Sequence, residues 1–348
     1  MPDALLRVAL RRAIGQIRYL RPVPPGKADP LTSAVYRQLE SDFGMLAPPV
    51  ALHAVVPELL AGCWAILRES LVADSVVPRG TLETVAAAVS AGNACPYCVT
   101  VHRATEQALA GPTGESAGTD LIEDWARLAA HRGTASRPPV AAGSGRLIGV
   151  AATFHYLNRM VNVFLAESPL PEALPAAFRR PALQQLGRFA GANASRRHPA
   201  GASLELLPAA PGQQRPGWAA DDPVLGEAFA RAAAAVDRAA AEHVPASVRQ
   251  LLTELLSRWD GQDPGLDLGW LSKQLAGLPV ADRPAGQLAL LTAFASYRIS
   301  ERQVADFRLA QPSDAALLAL ASWASLATAL RITSWIPNDH GAEYRGNA

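Results

Sequence analysis

Apolar positions recur along this chain at helical spacing, and nowhere do they alternate as a half-buried strand requires. A helix is predicted over 33–43, broken by Pro48 and Pro49. Over 57–73, Leu59, Leu60, Cys63, Ile66, Leu67 and Leu71 fall on one side of a second helix. Pro78-Arg79-Gly80-Thr81 reads as the start of a third, with Thr81 as its N-cap. That helix, 82–91, is so rich in Ala that burial on nearly all sides is expected. Gly92-Asn93 ends it, and Cys95-Pro96 opens the next, which runs to about 110 before the loop 111–114. Helices at 121–132 and 147–166 follow, separated by a loop at 133–145 and stopped by Pro169 and Pro171. Residues 191–217 show no period. The second half resumes with helices at 219–242, 248–258, 268–275, 284–295, 301–309 and 313–335. The fold class is all-α.

These elements divide the chain into an N-terminal helix and extended Pro-rich arm (1–35), a helical domain (36–190), a loop or linker (191–217), a second helical half (218–336) and a polar tail (337–348). The stretch 82–107 has an Ala-rich helix, a short break and a second helix, and 286–309 repeats that layout without a cysteine. A second, degenerate helical repeat is therefore expected.

Composition narrows the function. Hydrophobic residues are 49% of the chain, enough for a substantial core, and the net charge of +1 gives no global attraction to nucleic acid. Two short basic spots, Arg7-Arg11-Arg12 and Arg196-Arg197-His198, do not form a stripe. No run is expected to reach the length of a membrane span, and residues 1–20 lack the apolar block of a secretory signal. The expected compartment is the cytoplasm, with no membrane partner. No Gly-rich phosphate loop is present in the right context, so no cofactor is expected.

Three cysteines, Cys63, Cys95 and Cys98, are too few for a disulfide scaffold, and two stand three residues apart. On a helix starting near Cys95, Cys98 and His102 share its face. Cys95 lies in the first turn, where unsatisfied N–H groups and the helix dipole favour an anion. A lowered thiol pKa gives thiolate, the reactive form. His102 can exchange the proton of Cys98, and Glu83, on the preceding helix, can orient the imidazole. Each piece has a plainer reading: a structural zinc site built from Cys95, Cys98, His102 and Glu83, a solvated carboxylate at a helix start, or a non-catalytic helical interaction protein that retains the motif.

The pattern Glu-x11-Cys-x2-Cys-x3-His resembles the signature of the alkyl hydroperoxidase D-like, or carboxymuconolactone decarboxylase, superfamily. Glu83, Cys95, Cys98 and His102 fill its four positions, and the specific match covers roughly residues 50–110. The resemblance implies an all-α, usually oligomeric protein whose dithiol reduces a peroxide or a peroxiredoxin-type disulfide. It implies a relay through Glu83 and His102, with Cys98 attacking and Cys95 resolving; the dipole argument alone favours Cys95 as the more acidic thiol. Tyr97 stands where the best-known peroxidase members carry a histidine. The lactone decarboxylases lack the paired cysteines. His155, Asn158, Arg159 and Asn162 form a helical stripe that resembles a segment of longer members. It reads either as a cleft lining in which Tyr97, His155 and Arg159 select substrate, or as a polar seam between helices. Cys63, beside Trp64, and Trp259, Trp270, Trp323 and Trp335 are expected to fill the core.

Overall fold

The computed structural model describes residues 13–110, 119–171, 173–265 and 267–337. The N-terminal helix expected before residue 13 and the tail beyond 337 lie outside the described residues. Fourteen α-helices and no strand occur among the described residues. They are α1 (Pro30–Gln38), α2 (Pro48–Ala51), α3 (Pro57–Leu67), α4 (Arg79–Gly92), α5 (Pro96–Ala110), α6 (Thr119–Leu128), α7 (Ser144–Phe164), α8 (Ala176–Ala194), α9 (Pro223–His243), α10 (Ala246–Arg258), α11 (Gly269–Leu275), α12 (Arg283–Ala295), α13 (Glu301–Ala310) and α14 (Asp314–Ser334).

Local chemistry sets the starts. Asp29 caps α1 by accepting from Leu31 N and Thr32 N, with Pro30 in the first turn. Asp222 does the same for Leu225 N ahead of α9, and Ser300 with Gln303 forms a capping box on α13. Thr81 is not a cap: α4 begins two residues earlier, behind Pro78, and its N-cap makes no side-chain hydrogen bond. Both α1 and α3 continue into π turns, Leu39–Phe43 and Arg68–Val72.

A single cluster of buried apolar residues runs from Ile17 to Ile336, so the core does not divide at 191–217. Two 21-residue helices, α7 and α14, pack on each other at its centre. α4 lies against α7 and α12 against α14, each followed by a break and a further helix. α14 corrects one expectation. It is long and apolar enough to cross a membrane, with mean hydropathy 1.6, yet 78% of that window is buried within the fold. Trp323 is buried, while at the core's edge Trp259 and Trp270 pack on Phe294 and Trp335 packs on Trp259.

The segment 191–217, read from the sequence as a loop or linker, is partly helical and partly bonded to an earlier turn. The first four of these residues belong to α8, and residues 199–203 are tied to the π turn of Arg68–Val72. Glu69, fully buried, accepts from Gly201 N (2.8 Å) and Ser203 Oγ (2.6 Å) and pairs with Arg68 (2.7 Å). Arg68 in turn donates to Asp42 and to the carbonyl of Pro199. A buried ion pair is tolerable only with such complete hydrogen bonding.

α8 is a helix that the hydrophobic pattern did not predict. It carries Pro181 and almost no apolar stripe, and its buried positions are Gly187 and Gly191. A Cβ on Gly187 would lie 2.6 Å from the carbonyl oxygen of Ala104, and one on Gly191 2.8 Å from Ala108 Cβ. α8 thus docks on α5 by small residues at i, i+4 facing small residues at i, i+4. Backbone proximity replaces side-chain burial there.

Candidate active site

α4 and α5 meet at a corner that positions the sulfurs. Asn93 leaves α4, Ala94 adopts a left-handed conformation (φ 49°), and Cys95 begins the next turn. A non-glycine residue rarely adopts this φ. Several bonds hold it: Cys95 N donates to Ser90 O (3.0 Å), Val99 N to Cys95 O (3.1 Å), and Asn162 Nδ2, from α7, to Asn93 O (3.0 Å). Cys95 therefore has the position of an N-cap, and Pro96 needs no partner for the N–H it lacks.

Cys95, Tyr97, Cys98, His102 and Glu83 are all buried, between 1% and 7% exposed. His102 Nδ1 lies 2.6 Å from Glu83 Oε2, and Arg79 Nε donates to Glu83 Oε1 at 2.7 Å. Burial by itself would raise the Glu83 carboxyl, but the charges of Arg79 and His102 and their hydrogen bonds outweigh it and hold the group below its ordinary value. An ionised carboxylate only accepts, so His102 Nδ1 carries the proton. In the neutral ring, Nε2 keeps its lone pair. The edge of the imidazole meets Phe154 at 4.5 Å between centroids, 81° between planes, which fixes the ring.

Cys98 and His102 line one cavity with Tyr97. Its remaining walls are apolar, among them Phe43, Met45, Val50, Leu67, Phe154, Leu157 and Leu186. The π turn after α1, the turn of α2 and the unpredicted α8 close it. Cys95 is not part of that lining. The interaction with Cys95, and after it burial, pushes the Cys98 thiol up; Cys95 is held below its ordinary value because hydrogen bonds from Cys98 and Asn158 outweigh its own burial. Cys95, at the N-cap, is thus the more acidic thiol of the pair. Cys63 is separate: it is buried in α3 and burial alone pushes its thiol far up.

The stripe on α7 faces the corner, not the cavity. His155 and Arg159 are buried outside the lining, so the structure does not bring them together with Tyr97. Arg159 donates to Ala293 O (3.0 Å) and His155 O (2.7 Å), and Asn162 bridges Asn93 O and Ser296 Oγ. This is a polar seam joining the corner after α4 to the corner after α12. Among the described residues, no three of His, Cys, Asp and Glu gather as metal ligands. Both Glu83 oxygens are engaged by Arg79 and His102.

Sequence reasoning overlooked Arg79 as a partner, although its i, i+4 spacing to Glu83 is the signal that finds it. It also read Asn93 only as part of a helix end, because a helix-end Asn is ordinary by itself.

No family model matches the chain. The chain is similar to alkyl hydroperoxide reductase Rv2159c of Mycobacterium tuberculosis (strain ATCC 25618 / H37Rv), at 32% identity over 337 residues, covering 92% of this chain and 95% of the relative. With that identity sustained over nearly the full length of both, the protein belongs to the family of this mycobacterial alkyl hydroperoxide reductase.

Proposed function

We propose that the protein is a thiol peroxidase of the alkyl hydroperoxidase D-like type, reducing an organic hydroperoxide through Cys98 and Cys95. The observation that carries this reading is the apolar cavity that Cys98 and His102 both line, with the hydrogen bond from His102 Nδ1 to Glu83. The name of the mycobacterial relative supports the same chemistry.

Cys98 is the sulfur that a molecule in the cavity reaches, so it is the attacking residue and Cys95 the resolving one. The Cys98 proton passes to Cys95 or to His102 Nε2, leaving a thiolate at Cys98. That thiolate attacks the terminal peroxide oxygen, the O–O bond breaks, and ROH leaves with a proton returned by the relay. Cys98 is then a sulfenic acid. The Cys95 sulfur displaces its hydroxyl as water and a disulfide forms. The sum is ROOH plus two thiols giving ROH, water and one disulfide, and an external dithiol must restore the pair. Glu83 keeps the proton on Nδ1, so that the cavity-facing nitrogen is the base. The apolar walls favour a peroxide with a hydrocarbon substituent over hydrogen peroxide.

Thiol titration tests the proposal. Reduced protein treated with cumene hydroperoxide loses two thiols per chain, and Cys63 remains, reactive only after denaturation. Cys98→Ser abolishes the loss. Stoichiometric zinc in the purified protein, or retention of all three thiols, overturns the proposal.

A further inference from the structure

The walls of the cavity are apolar apart from Cys98, His102 and Tyr97, and the first two leave the third without a role. Tyr97 is buried, 7% exposed, in the first turn of α5. Of the five tyrosines among the described residues, the other four are bonded at the hydroxyl. Tyr36 donates to Val23 O (2.9 Å), Tyr156 meets His53 Nε2 (2.7 Å), Tyr297 donates to Asp263 (2.7 Å) and Tyr19 accepts from Arg18 (2.6 Å). The Tyr97 hydroxyl makes no hydrogen bond. It is also absent from the fully occluded polar atoms that lack a partner, so the oxygen keeps some open surface, and the open space that Tyr97 borders is the cavity.

A buried hydroxyl with no partner costs about 1–3 kcal/mol, and phenylalanine would fill the same space without that cost. Packing therefore does not explain the oxygen; a molecule in the cavity that accepts its proton in a hydrogen bond does. Burial pushes the phenol well up, and negative charge on Cys98 or Cys95 adds to the effect, so the hydroxyl stays a donor wherever the thiols react. Tyr97, Cys98 and His102 all stand on α5, which holds donor, nucleophile and base on one rigid element. When an O–O bond breaks in such a chamber, charge develops on the leaving oxygen, where a fixed donor is worth most.

We propose that Tyr97 is a catalytic residue whose hydroxyl donates a hydrogen bond to the leaving oxygen of the hydroperoxide while Cys98 attacks the other oxygen. The S–O bond forms on the terminal oxygen as the O–O bond breaks. The electron pair of that bond stays with RO, which takes up the proton that Cys98 gave to the relay. Tyr97 keeps its own proton throughout. This role rests on the peroxidase reading of the site and adds a substrate preference to it. Alkyl hydroperoxides, which expel a localised alkoxide, depend on the donor; peracids, whose leaving carboxylate spreads its charge over two oxygens, depend on it far less.

Tyr97→Phe removes one oxygen and keeps the ring. Reduced parent and variant are mixed with cumene hydroperoxide and, separately, with peracetic acid, and thiol oxidation is followed by stopped flow. The rate with cumene hydroperoxide falls about 100-fold, as for loss of one preorganised donor to a developing oxyanion, and the rate with peracetic acid by less than about fivefold. Iodoacetamide alkylation, in which no oxygen leaves, keeps its rate and pH profile, and thermal stability does not fall. An equal fall with both oxidants, a shifted alkylation profile, or a variant that fails to fold places the hydroxyl in thiol activation or packing and overturns the proposal. An active parent whose variant reacts with cumene hydroperoxide at the parent rate overturns the role of Tyr97 alone. A parent inert to cumene hydroperoxide overturns the peroxidase reading and this role with it.

Discussion

Glu83→Gln separates the roles of this carboxylate more sharply than truncation would. The side chain keeps its shape, but its two terminal atoms are no longer equivalent. In the wild type, one oxygen faces Arg79 Nε at 2.7 Å and the other His102 Nδ1 at 2.6 Å, both donors. A glutamine has one acceptor. Arg79 is a permanent donor, so the amide oxygen turns to it and the amide N–H group faces His102. His102 can meet that donor only by moving its proton to Nε2. The nitrogen facing the cavity then carries a proton in place of its lone pair, and the base is lost. General base catalysis is worth about 10²–10⁴-fold, so the second-order rate of thiol oxidation by cumene hydroperoxide falls at least ~100-fold, about 2.7 kcal/mol of activation free energy. Stopped-flow measurement on reduced protein at pH 7, with far-ultraviolet dichroism to confirm the fold, reads this directly. A rate above half that of the wild type, in a folded variant, would refute the reasoning. The same variant has a stability signature. The wild-type carboxyl is held below its ordinary value, so its contribution is present above the unfolded carboxylate pKa and disappears as pH falls through the folded one. Glu83→Gln lacks that acid-side loss.

Other consequences follow from the packing. His53 is fully buried, with Nδ1 donating to Val50 O (3.0 Å) and Nε2 accepting from the Tyr156 hydroxyl (2.7 Å), and burial lowers it to about 4. Between pH 6.5 and about 4 the unfolded chain takes up a proton that the folded chain refuses, so stability falls by about 3 kcal/mol across that window; urea unfolding of wild type and His53→Gln at pH 7 and pH 4.5 checks the slope, which the variant should lose. Gly187→Leu drives a side chain into the backbone of α5 at Ala104 and lifts α8 away. Faster alkylation of Cys98 and enhanced binding of an apolar dye are expected, whereas unchanged alkylation would show that α8 does not seal the cavity. Glu69→Ala removes one member of the buried pair with Arg68 and the acceptor for Gly201 N and Ser203 Oγ. A loss of roughly 3–5 kcal/mol in denaturant unfolding is expected, with early proteolysis in 195–207.

Much of this protein is written in short-range pattern. The 3.6-residue period, the Ala-rich helix ahead of Cys95-Pro96, and the prolines and caps at helix starts specify an all-α chain and bring Cys98 and His102 onto one face, because these features depend on neighbours within one or two turns. The tertiary structure decided the rest. α8 is invisible to the hydrophobic pattern because it docks through Gly187 and Gly191, whose contribution is the closeness of two backbones. The cavity depends on α8 and on the π turn after α1, which no local signal specifies. The α7 stripe was legible as a stripe, but which face it met depended on how α7 crosses α4 and α12. That crossing turned His155 and Arg159 from the cavity to the corner at Asn93. A residue's period fixes the side of its helix, whereas the chemistry it faces is fixed by packing among elements far apart in the chain.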